Sequence, residues 1–215
     1  MPGSWEIPPQ PNCSVFIGTP NTGLVTYAWA VQLESLHKLP RSVIFGWKGA
    51  PFDVARNNLV REARKARAQY LFFLDSDVHP PPNAIADLMA CRMPIISGLV
   101  LAKRGSGYPA IWRRSGLSYS PISQFPQSAV INVDAIPMGC CLIDMRVFDI
   151  IPEPWFKWEI DLPEEKDTGK LSEDFYFCRR AQQYGLTIAC FTGVRCSHET
   201  MMAVDPTGES KKQVL

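Results

Sequence analysis

No apolar run in this sequence reaches the ~18 residues that a membrane-spanning helix requires, so no span is expected. The first residues, Met1-Pro-Gly-Ser-Trp-Glu-Ile-Pro-Pro-Gln-Pro11, have neither the basic opening nor the apolar stretch of a secretory signal. Neither sign of charge dominates. Lys and Arg number 22 against 21 Asp and Glu, a net charge of +1, which supplies no field for nucleic acid or an anionic membrane surface. The 7 cysteines include no Cys-x-x-Cys pair, so a structural zinc site is not expected. Several of them (Cys13, Cys190) lie inside apolar runs, where a free thiol behaves as a small hydrophobe. Internal repeats and low-complexity tracts are absent. These absences leave a soluble, cytoplasmic protein with no nucleic-acid partner and no transmembrane segment as the expectation. What is present is ordinary for a globular chain: 46% apolar and 20% charged residues over a length of 215, enough for one core.

The most informative stretch is Tyr70-Leu-Phe-Phe-Leu-Asp-Ser-Asp-Val-His79, followed by Pro80, Pro81 and Pro82. Its apolar run reads as a strand buried on both faces. Alternation along a strand would send Asp75 and Asp77 to the same side. Carboxylates at the carboxyl end of such a strand sit where open α/β sheets bind ligands, and carboxylate oxygens suit Mg²⁺ or Mn²⁺. The plainer alternative is a strand that ends in an Asx turn.

Around this stretch the chain alternates. Cys13–Gly18 reads as a strand, 24–39 as a helix, Ser42–Trp47 as a strand, and 54–68 as a helix capped by Asp53. After the acids come a helix over 83–91 and a buried strand over 94–102. A Gly- and Pro-interrupted region over 103–127 suggests loops or an antiparallel hairpin, and a strand is expected within 129–136. Strands alternating with helices argue for a mostly parallel sheet with right-handed crossovers. Later, Ser172 caps a helix over 173–184 that Gly185 closes, and two late strands are expected over 187–191 and 194–198. Acids at a helix start, here Glu173 and Asp174, are favoured by its dipole but can also serve as a base. Successive helical positions lie ~100° apart, so only one of the two is expected to face a cleft. Trp155, Phe156 and Trp158 precede this helix and are either buried or available to stack on a sugar.

The combination of Ala55-Arg-Asn57, Phe73-Leu-Asp-Ser-Asp77, Ile96-Ser-Gly98 with Tyr108-Pro109, Gly139 with Arg146-Val-Phe148, Glu173-Asp174 with Cys178-Arg179, and the late His198 resembles the GT-A fold glycosyltransferases, family 2-like, over Val15 to His198. The resemblance implies an α/β fold of GT-A type: a mostly parallel, helix-flanked sheet with a Rossmann-like nucleotide-binding half and a small antiparallel acceptor-side region. It divides the chain into a proline-rich arm (1–12), one domain (13–198, with a nucleotide-sugar half 13–102 and an acceptor half 103–198) and a flexible tail (199–215).

The implied activity is sugar transfer from a nucleotide-sugar to an acceptor carbohydrate, lipid or small hydroxyl compound, with a divalent metal, Mn²⁺ or Mg²⁺. The implied roles are metal binding for Asp75, Asp77 and His198, and catalysis for Asp174 with Glu173 beside it, giving inversion. Thr19, Pro20, Arg56, Asn57, Asp75, Ser76 and Gly139 fall at donor-binding positions. The second strand ends Gly46-Trp47-Lys48 rather than in the acid of many members, which leaves Asp53 as the candidate to replace it. Two alternatives share the metal chemistry: a haloacid-dehalogenase-type phosphatase with Asp75 as nucleophile, and a sugar nucleotidyltransferase. A non-catalytic sugar-binding module would have no use for the acids.

Overall fold

The computed structural model describes residues 13–102, 108–116, 118–158 and 171–199, together with the backbone of 201–204 and 210–213. The expected arm at 1–12 lies outside the described residues, as does much of the expected tail. The first half follows the alternation read from the sequence: β1 (Cys13–Asn21), α1 (Tyr27–Ser35), β2 (Val43–Lys48), α2 (Phe52–Lys65) and β3 (Ala68–Leu74). Next come the short β4 (Val78–His79), α3 (Ala84–Ala90) and β5 (Ile95–Val100). A two-stranded hairpin, β6 (Trp112–Ser115) with β7 (Ser118–Pro121), occupies the Gly- and Pro-rich region as expected. The chain continues through β8 (Val130–Asn132), β9 (Cys140–Asp144), α4 (Val147–Ile150), α5 (Glu173–Gln183) and β10 (Ile188–His198). The backbone of β11 (Met201–Val204) and β12 (Ser210–Gln213) pairs as an antiparallel hairpin within the stretch expected to be a flexible tail.

The eight-stranded sheet runs β2-β1-β3-β9-β5-β10-β4, with β8 beside β10. Strands β2, β1, β3, β5 and β10 point one way, whereas β9, β4 and β8 point the other. The sheet is thus mixed, although most of its strands are parallel. The antiparallel β9 lies between β3 and β5 and pairs with both.

Helices cover both faces. Leu71 and Phe73 of β3 pack with Leu59, Ala63, Phe148 and Phe177 on the α2/α5 side, while Phe72 and Leu74 pack with Trp29, Ile85 and Leu88 on the α1/α3 side. Strand β3 is therefore buried on both faces from Leu71 to Leu74, each large side chain contributing ~1.5–3 kcal/mol by its burial.

Several local expectations need correction. Helix α2 starts at Phe52 after Pro51, with no side-chain cap, so Asp53 lies inside its first turn, where the dipole favours an acid. The two late strands are one, β10, carrying a register break between Phe191 and Arg195. Trp155 and Phe156 are core residues at 1% exposure each, ringed by Phe148, Phe73 and Phe177, and neither offers a face to a sugar. All the cysteines are free, and all but the half-buried Cys91 are buried, as small hydrophobes would be. No helix among the described residues is long and apolar enough to cross a membrane.

Candidate active site

Strand β3 stops at Leu74, and residues 75–78 form a turn closed by Val78 N–H donating to the Asp75 carbonyl at 3.1 Å. Strand alternation therefore does not apply to the two acids, and they take different partners. The backbone of Asp75 is pinned three times. Its N–H donates to the Gly139 carbonyl (3.1 Å), and its carbonyl also accepts from Trp29 Nε1 (2.9 Å). A Cβ on Gly139 would lie 3.0 Å from Val78 Cγ2 and 3.1 Å from Asp75 Oδ2, so a side chain here would crowd both. Gly139→Ala should lower stability by ~1–3 kcal/mol through overpacking, read as the midpoint shift in denaturant unfolding.

The carboxylate of Asp75 meets the Arg56 guanidinium through two hydrogen bonds, of 3.1 and 3.3 Å. Arg56 is 2% exposed and stands over the Phe73 ring. Its Nε also lies 3.4 Å from Glu173 Oε1 and 3.4 Å from Asp174 Oδ1. Three carboxylates thus surround one buried cation. Both acids of α5 reach the same nitrogen, which corrects the expectation that only one would face this region; the extra methylene of Glu173 makes up for its different helical angle. Asp174 Oδ2 accepts from Met138 N–H at 3.3 Å, while the buried Oδ1 has no hydrogen-bond donor. Burial, reinforced by the neighbouring Glu173 charge and moderated by Arg56, holds the Asp174 carboxyl well above the usual carboxylate range. Burial also raises Glu173, again against Arg56. For Arg56 itself burial disfavours charge, but Asp75, Asp174 and Glu173 outweigh it and keep the guanidinium protonated.

Asp77 faces β10: its Oδ1 lies 3.4 Å from His198 Nε2. His198 Nδ1 is 2.8 Å from the Leu101 carbonyl, which can only accept, so Nδ1 carries the hydrogen. A neutral ring then turns the Nε2 lone pair toward the Asp77 carboxylate. Two acceptors this close call for a proton or a cation between them, and a histidine held by its far nitrogen is the usual arrangement of an imidazole ligand. The pair therefore fits a divalent ion. Among the described residues no group of three His, Cys, Asp or Glu side chains is gathered to hold an ion alone. Mg²⁺-type sites commonly combine one or two protein ligands with water and substrate phosphates, which matches a site of two.

The other expected residues divide by geometry. Thr19 and Pro20 are buried near the carboxyl end of β1, and the Thr19 hydroxyl has no partner. Ser76 is half-buried within the turn. Asn57 is a structural clamp rather than a donor-binding residue. Its Nδ2 donates to the Asp53 and Phe156 carbonyls, and its Oδ1 accepts from Trp155 N–H and Phe156 N–H, which exhausts the amide. Asp53 Oδ2 accepts from Trp158 N–H at 3.3 Å, tying the same loop down.

Trp29, His79 and Glu199 carry no expectation from sequence, yet all three frame the site. Glu199 accepts from the Thr26 hydroxyl (2.6 Å), approaches His79 Nε2 (2.7 Å), and donates its N–H to the Asp77 carbonyl (2.8 Å). Adjacency to Asp77 and His198 in the sequence was the available signal for His79 and Glu199.

The fold these residues share is of a known kind. It is GT-A-like, by its likeness to GalNAc-T7 as solved with UDP, GalNAc and Mn²⁺: the TM-score is 0.54 at 15% identity, covering 86% of this chain and 43% of that one. The chain also matches A197 from STIV, with a TM-score of 0.61 at 17% identity over 94% of both chains. No family model and no curated protein matches the chain.

Proposed function

We propose that this chain is a glycosyltransferase that moves a sugar from a nucleotide-sugar to an acceptor hydroxyl with inversion. The observation that carries the reading is the Asp77–His198 pair at the carboxyl ends of β3 and β10, two residues along from Asp75, which Arg56 joins to the acid-rich start of α5. Open α/β sheets place ligands at this end, and the GT-A-like fold supports the same placement.

Asp77 and His198 would hold Mn²⁺ or Mg²⁺, while Asp75, engaged by Arg56, fixes the turn that carries Asp77. When bound, the ion would offset the charge that develops on the leaving diphosphate. Thr19 and Pro20 would border the nucleotide. Asp174 would accept the proton of the acceptor hydroxyl, its environment raising it toward the range in which a carboxylate is an effective base. A phosphatase with Asp75 as nucleophile is less well supported, since both oxygens of that carboxylate are engaged by Arg56.

The test is incubation with a panel of nucleotide-sugars and Mn²⁺, following nucleoside diphosphate release, with the product anomer read by NMR. Inverted product is expected. Absence of release across the panel, or a retained anomer, overturns the activity or the base assignment respectively.

A further inference from the structure

At the end of the sheet opposite the candidate active site, the chain leaves a cleft of about 370 Å³. It lies between the end of α3, the residues just before β5, the last residues of β9 and the helix α4. Its size is at the small end of the range for sites that take whole organic molecules, ~300–1,000 Å³. The walls are apolar: Met89, Met93, Leu142, Val147, Ile150 and Leu186. Ile150 is 47% exposed, and Met89 and Met93 are half-buried, so the cleft keeps apolar surface open to water. Such a lining favours a ligand with an apolar body, and the two unbranched methionines can adapt to its shape.

The charged groups of the cleft set the other end of the ligand. Among the described residues it is lined by two arginines, Arg92 and Arg146, and one carboxylate, Asp144. Asp144 is already engaged by Arg146. Its Oδ1 accepts from the backbone N–H (3.0 Å) and the Nε (2.9 Å) of Arg146, and its Oδ2 accepts from Nη2 (2.5 Å). The Asp144 N–H donates to the Pro94 carbonyl at 3.0 Å, which fixes the pair to the wall. That pair is neutral as a unit, so the exposed Arg92, just past α3, leaves the lining with a net positive charge. A guanidinium offers a planar fork that matches a carboxylate and keeps its charge at any physiological pH. One uncompensated cation matches one negative charge better than the ~1.5–2 charges of a phosphate monoester.

We propose that this cleft binds an amphiphilic carboxylate, with its apolar chain between α3 and α4 and its head at Arg92. The proposal stands apart from the glycosyl-transfer reading, because no residue assigned to that reaction lines the cleft.

Calorimetry of the full chain with decanoate below its micelle concentration tests this, alongside acetate and decyltrimethylammonium. Decanoate should saturate at one per chain. Acetate, the head without the body, and decyltrimethylammonium, the body with the opposite charge, should not bind. Arg92 sits at φ +54°, a conformation that glycine adopts readily, so Arg92→Gly should stay folded while losing the guanidinium. Its affinity for decanoate should fall by about 10-fold or more. Ile150→Asp, at an exposed position in the wall, should weaken binding as well. With methyl-labelled methionine, decanoate should shift the NMR signals of Met89 and Met93 and leave unmoved that of Met138, whose N–H meets Asp174. Binding that does not saturate, equal binding of decyltrimethylammonium, an unchanged affinity in Arg92→Gly, or shifts at Met138 instead of Met89 and Met93 would each overturn the proposal.

Discussion

Asp174→Asn is expected to lower turnover by ~10²–10⁴-fold while leaving donor affinity close to wild type. The substitution preserves shape and keeps an oxygen for the Met138 N–H, so the start of α5 should remain intact. It removes the proposed proton acceptor. A general base acts only as the hydroxyl loses its proton, so the loss should appear in kcat and kcat/KM together, with ground-state binding spared. The same environment predicts the pH profile. Burial, with the charge of Glu173, holds Asp174 up, so its basic form appears only as pH climbs past the usual carboxylate range. The rate should therefore rise with pH to a limit displaced above ~4, and Asp174→Asn should abolish that limb. Steady-state kinetics across pH measures both; a near-normal rate in Asp174→Asn removes the residue from the role.

Asp77→Ala should eliminate the gain in nucleoside diphosphate affinity that Mn²⁺ gives the wild type. Removing even an outer partner of a metal ligand commonly weakens metal binding by ~10–100-fold, so losing one of the two proposed ligands should do at least as much. The loss should be local, because Asp77 is a half-buried turn residue whose backbone, rather than side chain, anchors Glu199. Calorimetry with nucleoside diphosphate, with and without Mn²⁺, is the measurement. Equal metal-dependent binding by wild type and variant would place the ion elsewhere or nowhere.

The elements legible in the sequence are those with local causes. The apolar run of β3, the helix from Glu173 closed by Gly185 at φ +73°, and the hairpin in the Gly- and Pro-rich stretch stand where pattern and turn chemistry put them, whereas the two acids after β3 lie in a turn and do not share a strand face. What was not legible depends on partners far along the chain. Arg56 precedes a run of exposed Arg and Lys on the same helix, and nothing local marks it as buried; its acids lie 19 and 117 residues away. Asn57 looks like a surface amide until the loop at 155–156 closes on it, 98 and 99 residues later. The aromatic residues of that loop carry the same ambiguity, because a Trp that stacks on sugar and a Trp that fills a core are the same letter. Strand β9 shows no antiparallel signature of its own, since a strand buried on both faces reads alike in either direction.

The register break in β10 has a consequence for how this chain tolerates change in length. Residues up to Phe191 pair with β5 in one frame and residues from Arg195 in another, and Thr192 is locked between them by the Pro126 carbonyl and the Ala129 N–H. The intervening residues act as a spacer that sets the parity of everything after them. Excising one residue would advance the strand end by a single step, and each side chain beyond would exchange faces. Glu199 would then take the place of His198 beside Asp77 while the imidazole turned to the opposite face, so a deletion that leaves the core almost untouched would break up the pair proposed to hold the ion.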